Sequence, residues 1–121
     1  MNDKTKRRLY WIDIEDNIYY LLIVNSLINL DANKKLKKRL LKNQKPNNEI
    51  RNEYLFSSYI LLYIYLVFLV RNQENLDNLE LDDENYELEK LRVLGSYMFI
   101  LAQMIVIYYF YNSSNFDDSP I

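Results

Sequence analysis

At 121 residues and a formal net charge of −2, the chain forms one domain at most. It has no Cys and no His, which excludes disulfides, thiolate zinc sites, Cys nucleophiles and the commonest general base. One Gly and two Pro leave little material for tight turns and argue against an all-β fold. Half the residues are apolar although the mean hydropathy is slightly negative, so the apolar residues are gathered in blocks.

The charges are gathered too. Residues 1–53 carry 12 Lys/Arg against 7 Asp/Glu, and residues 71–92 carry 3 against 8. Met1–Arg8 is polar and basic, a frayed terminus or an anchor for anionic lipid. The apolar run after it is broken by Asp13, Glu15 and Asp16 and no small-residue cleavage site follows, so no secretory leader is expected.

Asp13 followed by Asp16 predicts a helix N-cap with an acid in the first turn, and hence a helix over Ile14–Leu30. Its second half, IYYLLIVNSLINL, holds no charge but is 13 residues long. That is short of the roughly 20 needed to span a bilayer. The segment therefore reads as an amphipathic, interfacial helix, or one packed on its neighbours, with Tyr10, Trp11, Tyr19 and Tyr20 at headgroup level. Asp13, Glu15 and Asp16 read as caps rather than as a metal site, since no further ligand group stands near them in sequence.

Asp31 can cap a short basic helix on which Leu36 and Leu40 share a face. Lys34, Lys35, Lys37, Lys38, Arg39 and Lys42 cover the rest and suit anionic headgroups or an acidic partner, each contributing roughly 1 kcal/mol near a membrane surface. The solvated face of a soluble helix is the competing reading. Nucleic acid is disfavoured, because no aromatic residues interleave with the run and no nucleic-acid-binding motif surrounds it.

Pro46 ends this helix, and Asn47 or Asn48 can cap the next, predicted from Glu49 to about Asn72. Within it, Tyr54–Val70 runs 17 residues without a charge. A helix of that extent reaches roughly 36 Å, enough for a hydrocarbon core of roughly 30 Å. Arg71–Asp83 reads as a polar, acidic loop, after which Asp82 or Asp83 caps the last helix. That helix opens with Glu87–Lys90 and Glu89–Arg92 pairs at i,i+3. It continues through Val93–Asn112, 20 residues without a charge and interrupted only by Gly95. The polar tail 113–121 is expected to be disordered.

The expected fold is all-α: an antiparallel helical hairpin of two transmembrane helices, preceded by the interfacial helix and the short basic one. Its regions are 1–53 (basic), 54–112 (hairpin, with acidic loop 71–92) and 113–121 (tail). A helix apolar all round must be surrounded by lipid or protein, and the remaining residues are too polar to wrap both apolar blocks. The charges place residues 1–53 and the C-terminus on the cytoplasmic side of an inner membrane and 71–92 outside. A three-span variant, in which residues 9–30 also cross and the N-terminus lies outside, ranks second.

Gly95 and Ala102 are seven apart, as are Ser96 and Gln103, which makes one small and polar face for helix packing. Antiparallel register sets Gln103 opposite Ile60–Tyr63, with Tyr59 or Tyr63 as its hydrogen-bond partner. No catalytic, metal or cofactor signature stands out. The leading functional reading is a small non-enzymatic membrane protein, an accessory subunit or regulator in a homo- or hetero-oligomer with other membrane helices. A holin-like or toxin-like permeabilising oligomer and a soluble all-α interaction protein are the alternatives.

Overall fold

The computed structural model describes residues 1–46 and 48–113. These form helices α1 (Asp3–Leu41), α2 (Asn48–Asp77) and α3 (Tyr86–Asn112), with no strand among the described residues.

Asp3–Leu41 folds as one helix where two were expected. At 39 residues α1 is about 58 Å long. No Gly or Pro interrupts it, and Asn2 caps it by accepting the Thr5 N–H at 2.7 Å. Asp13 and Asp31 therefore lie inside the helix and cap nothing. Asp31 instead pairs one turn on with Lys35, at 3.1 Å. A capping residue ends a helix only if the chain before it cannot continue, and here both flanks are good helix and packed on a neighbour. The true stop is at Asn43, which adopts the left-handed conformation at φ 50°. The Asn43 N–H donates to the Leu40 carbonyl at 3.2 Å and the Gln44 N–H to that of Arg39 at 3.0 Å, the two bonds of a Schellman cap. Pro46 lies beyond this stop. The capping alternative at Asn47 falls outside the described residues, and Asn48 is the first residue of α2.

α2 continues to Asp77 rather than ending at Asn72, so the acidic stretch 71–92 is mostly helix and only 78–85 connects. Within that connection Asp83 accepts the Asn85 N–H at 2.8 Å, and Asn85 takes the cap position of α3. The Glu87–Lys90 and Glu89–Arg92 pairs form as expected, at 3.6 and 3.8 Å. The expectation of a disordered tail falls on residues 114–121, outside the described ones.

α2 is the central helix. It packs on α1 and on α3, which make no close backbone approach to each other among the described residues. The α1–α2 contacts run antiparallel along nearly the whole of α1. Trp11 Nε1 donates to Glu74 at 2.9 Å, Arg71 to Glu15 at 3.0 Å, and Lys35 to Glu49 at 3.1 Å. α1 thus lies lengthwise against the hairpin rather than across it. Its N-terminus shares one end of the array with the 78–85 connection, and its basic C-terminal turns share the other with the start of α2. Near the basic end, Ala32, Leu36, Ile50, Tyr54 and Phe110 form a cluster of buried apolar side chains to which all three helices contribute.

Candidate functional site: a polar seam inside an apolar belt

Between the two charged ends lies a stretch that is free of charge on every helix: 17–30 on α1, 54–70 on α2 and 93–112 on α3. Its buried side chains are unusually polar. Ser57 Oγ donates to Asn25 Oδ1 at 2.8 Å, joining α1 to α2. Gln103 Nε2 donates to the Ser58 backbone carbonyl at 3.0 Å, joining α3 to α2. Just past the charge-free part of α2, Asn72 Nδ2 donates to Ser96 Oγ at 2.7 Å, which passes its own proton to the Arg92 carbonyl at 3.1 Å. Small serines let the helices approach, and each such bond between helices in lipid contributes about 0.6–2 kcal/mol.

The outside of the same belt is apolar. Ile23, Val24 and Leu27 of α1, Phe56 and Leu66 of α2, and Leu101, Met104 and Ile105 of α3 are all exposed. The contrast is sharp within single helices: Asn25 is 4% exposed and Leu27 is 59%; Gln103 is 8% exposed and Ile105 is 62%. α2 and α3 are each long and apolar enough to cross a membrane, and only 22% of the most apolar stretch of each is buried. A helix serving as the core of a soluble bundle would be mostly buried.

The two ends differ in how their charges are used. At the basic end Lys35 lies among Asp31, Glu49 and Glu53, and these hydrogen bonds, Glu53 foremost, raise its pKa above the ordinary lysine range. The same lysine holds Asp31 below the usual carboxylate range. Nearby, the Tyr54 hydroxyl donates to Asn33, and its ring stacks on Phe110 at 5.8 Å between centroids. At the connection end a groove of about 600 Å³ opens between α1 and α3, floored by the end of α2.

The residues singled out from sequence are dispersed by the fold. Of the basic set, Lys35 is held in its carboxylate cluster and Arg39 is buried, while Lys34, Lys37, Lys38 and Lys42 are exposed. Of the packing set, Ser96 and Gln103 are buried in the seam. Ala102 is exposed, and a Cβ added to Gly95 would meet nothing within 4 Å, so neither brings helices close. Tyr59 and Tyr63 point outward, 47% and 57% exposed, and Gln103 takes the Ser58 carbonyl instead. The reason is register: α2 turns Ser57 and Ser58 inward and leaves Tyr59 and Tyr63 on its outer face. Asn25, Ser57 and Asn72 were missed as partners. The signal available for the first two was a pair of small polar residues inside an uncharged run, Asn25–Ser26 and Ser57–Ser58. Among the described residues no three His, Cys, Asp or Glu side chains converge as metal ligands. Asp13 and Asp16 are exposed, and Glu15 pairs with Arg71.

Compared with protein-family models, with curated proteins and with solved structures, the chain matches none.

Proposed function

We propose that this protein is a small, non-enzymatic membrane protein, a three-helix array embedded in the bilayer that acts by associating with other membrane helices as an accessory subunit or regulator. The inversion of the belt carries this reading. Asn25, Ser57, Asn72, Ser96 and Gln103 are inside and hydrogen-bonded across the helices, while Ile, Leu, Phe, Met and most of the belt's tyrosines are outside. In water that exterior would be an exposed apolar surface far larger than monomeric proteins tolerate. In lipid it is the solvated surface, and the buried polar bonds are what hold the helices together.

The lengthwise α1 favours three spans over two. Its charge-free stretch is only about 21 Å long. Two charges near its edges are paired, Glu15 with Arg71 at 3.0 Å and Asp31 with Lys35 at 3.1 Å, and Asp16 is exposed. Local thinning of the bilayer accommodates the remaining mismatch. Residues 31–53 hold eight Lys/Arg and the opposite end, 1–16 with 71–92, holds seven, a small bias that supports a cytoplasmic basic end with the N-terminus and the connection outside. The exposed Lys34, Lys37, Lys38 and Lys42 then face anionic headgroups or an acidic partner. Because the seam's polar groups are bonded to each other, the array supports packing better than a water path.

The test is an alkaline carbonate wash of membranes from cells expressing the chain. Retention in the pellet with release only by detergent is expected. Release as a folded helical species would mean that other protein, most simply further copies of this chain, covers the belt.

A further inference from the structure

The groove at the connection end differs in charge from its surroundings. Residues 1–16 and 71–92, which form that end, hold seven Lys/Arg and 12 Asp/Glu. Five of the seven cations line the cavity, Lys4, Arg7, Arg8, Arg71 and Arg92, against two carboxylates, Glu15 and Glu89. Glu15 is engaged by Arg71 at 3.0 Å, and Arg7 leans on Glu74 at 3.6 Å. Glu89 reaches Arg92 only at 3.8 Å. Lys4 and Arg8 have no carboxylate within 4 Å among the described residues. Like charges gathered in one cavity repel, and an anion seated among them relieves the repulsion.

A second cavity, of about 450 Å³, begins where the first ends, since Arg71 and Arg92 line both. It runs into the apolar belt between Phe68 and a Tyr65–Phe99 stack, whose ring centroids are 5.3 Å apart. Gly95 leaves it open, because nothing lies within 4 Å of the Cβ position. Glu89, which lines the cationic cavity, is also short of donors: its Oε1 lies 3.8 Å from Arg92 and its Oε2 is buried without a hydrogen-bond partner.

We propose that the two cavities together hold one anionic phospholipid with a hydroxylated headgroup. Its phosphate lies against Arg8 and Arg92, a headgroup hydroxyl donates to Glu89, and one acyl chain passes over Gly95 between Phe68 and Phe99. The site rests on the membrane-embedded reading and lies at the opposite end from the exposed lysines. Its depth fits: Arg92 immediately precedes the charge-free Val93–Asn112, so the cations stand where a headgroup meets its chains. A glycerol headgroup supplies both the net negative charge and the hydroxyl donors; a choline headgroup supplies neither.

Trp11, the chain's only tryptophan, lines the cationic cavity and reports on it. The full chain is reconstituted in phosphatidylcholine vesicles, and Trp11 fluorescence is quenched with acyl-brominated phosphatidylglycerol or, at equal mole fraction, acyl-brominated phosphatidylcholine. Phosphatidylglycerol is expected to quench with a several-fold higher apparent affinity. Arg8→Gln with Arg92→Gln brings the ratio close to one, and Lys37→Gln with Lys38→Gln at the other end leaves it unchanged. Gly95→Leu, whose Cβ meets no neighbour and which narrows the apolar cavity, lowers it, and carries the test if the double variant does not fold. Equal quenching of the wild type by the two lipids, or a preference that survives both the double variant and Gly95→Leu, would overturn the site while leaving the membrane reading intact. Quenching by neither lipid, with the chain washing off the vesicles, would overturn both.

Discussion

The two ends of the array hold similar numbers of cations, eight in 31–53 and seven in 1–16 with 71–92, and use them differently. At the basic end, α1 and α2 close on each other. Lys35 gathers three carboxylates, and below it Tyr54, Phe110, Ala32, Leu36 and Ile50 fill the space between all three helices. At the connection end α1 and α2 are paired as well, by Trp11–Glu74 and Arg71–Glu15, but a groove stays open between α1 and α3 and five cations line it. The closed end has an apolar plug under its charges; the open end has a glycine and a cavity there instead. Ion pairs alone therefore do not shut a helix array. The side chain beneath them decides whether the gap is filled by protein or left for something else.

The largest expected effect comes from removing the plug. Tyr54→Ala loses the stack on Phe110 and the bond to Asn33, and should destabilise the chain by on the order of 3 kcal/mol, read as a lower unfolding midpoint in mixed detergent. If the closed end is as loose as the open one, this cost should be close to that of an exposed tyrosine such as Tyr63.

A smaller effect is expected in the seam. Gln103→Leu leaves the Ser58 carbonyl without its interhelical donor and should cost about 1 kcal/mol by the same measurement. Tyr63→Phe should cost nothing measurable, although the sequence alone offered Tyr59 or Tyr63 as the partner.

The smallest effect is at the exposed rim of the closed end. The Lys35 hydrogen bond holds the Asp31 pKa below the ordinary value of about 3.9. A carboxyl depressed by folding adds stability above its unfolded pKa, and that contribution fades as pH falls through the folded value. Below about pH 4 the closed end should loosen slightly. Asp31→Asn should shrink this acid limb without changing stability relative to wild type at the acid extreme.

The hairpin was legible because two uncharged runs of 17 and 20 residues leave few other folds open, and because i,i+3 pairs such as Glu87–Lys90 depend only on local geometry. The continuity of α1 was not. Asp13 and Asp31 are good capping residues, and only packing along α2 shows that the helix runs through them. Gln103 was legible as a polar anchor, yet its partner was not, since the face that α2 turns toward α3 is set by tertiary register. The cationic groove was the least legible feature. Its cations come from Lys4–Arg8, Arg71 and Arg92, which in sequence read as a frayed terminus, a loop and a surface ion pair.

The central claim is that all three helices lie side by side in the bilayer. The most direct test uses the absence of native cysteine. Single cysteines at Lys6, Asn78 and Lys37 are labelled with a membrane-impermeant maleimide from one side of sealed vesicles of known orientation. Lys6→Cys and Asn78→Cys should label from the same side and Lys37→Cys only from the other. Labelling of Lys6→Cys and Lys37→Cys from the same side would show that α1 does not cross, and would contradict the account.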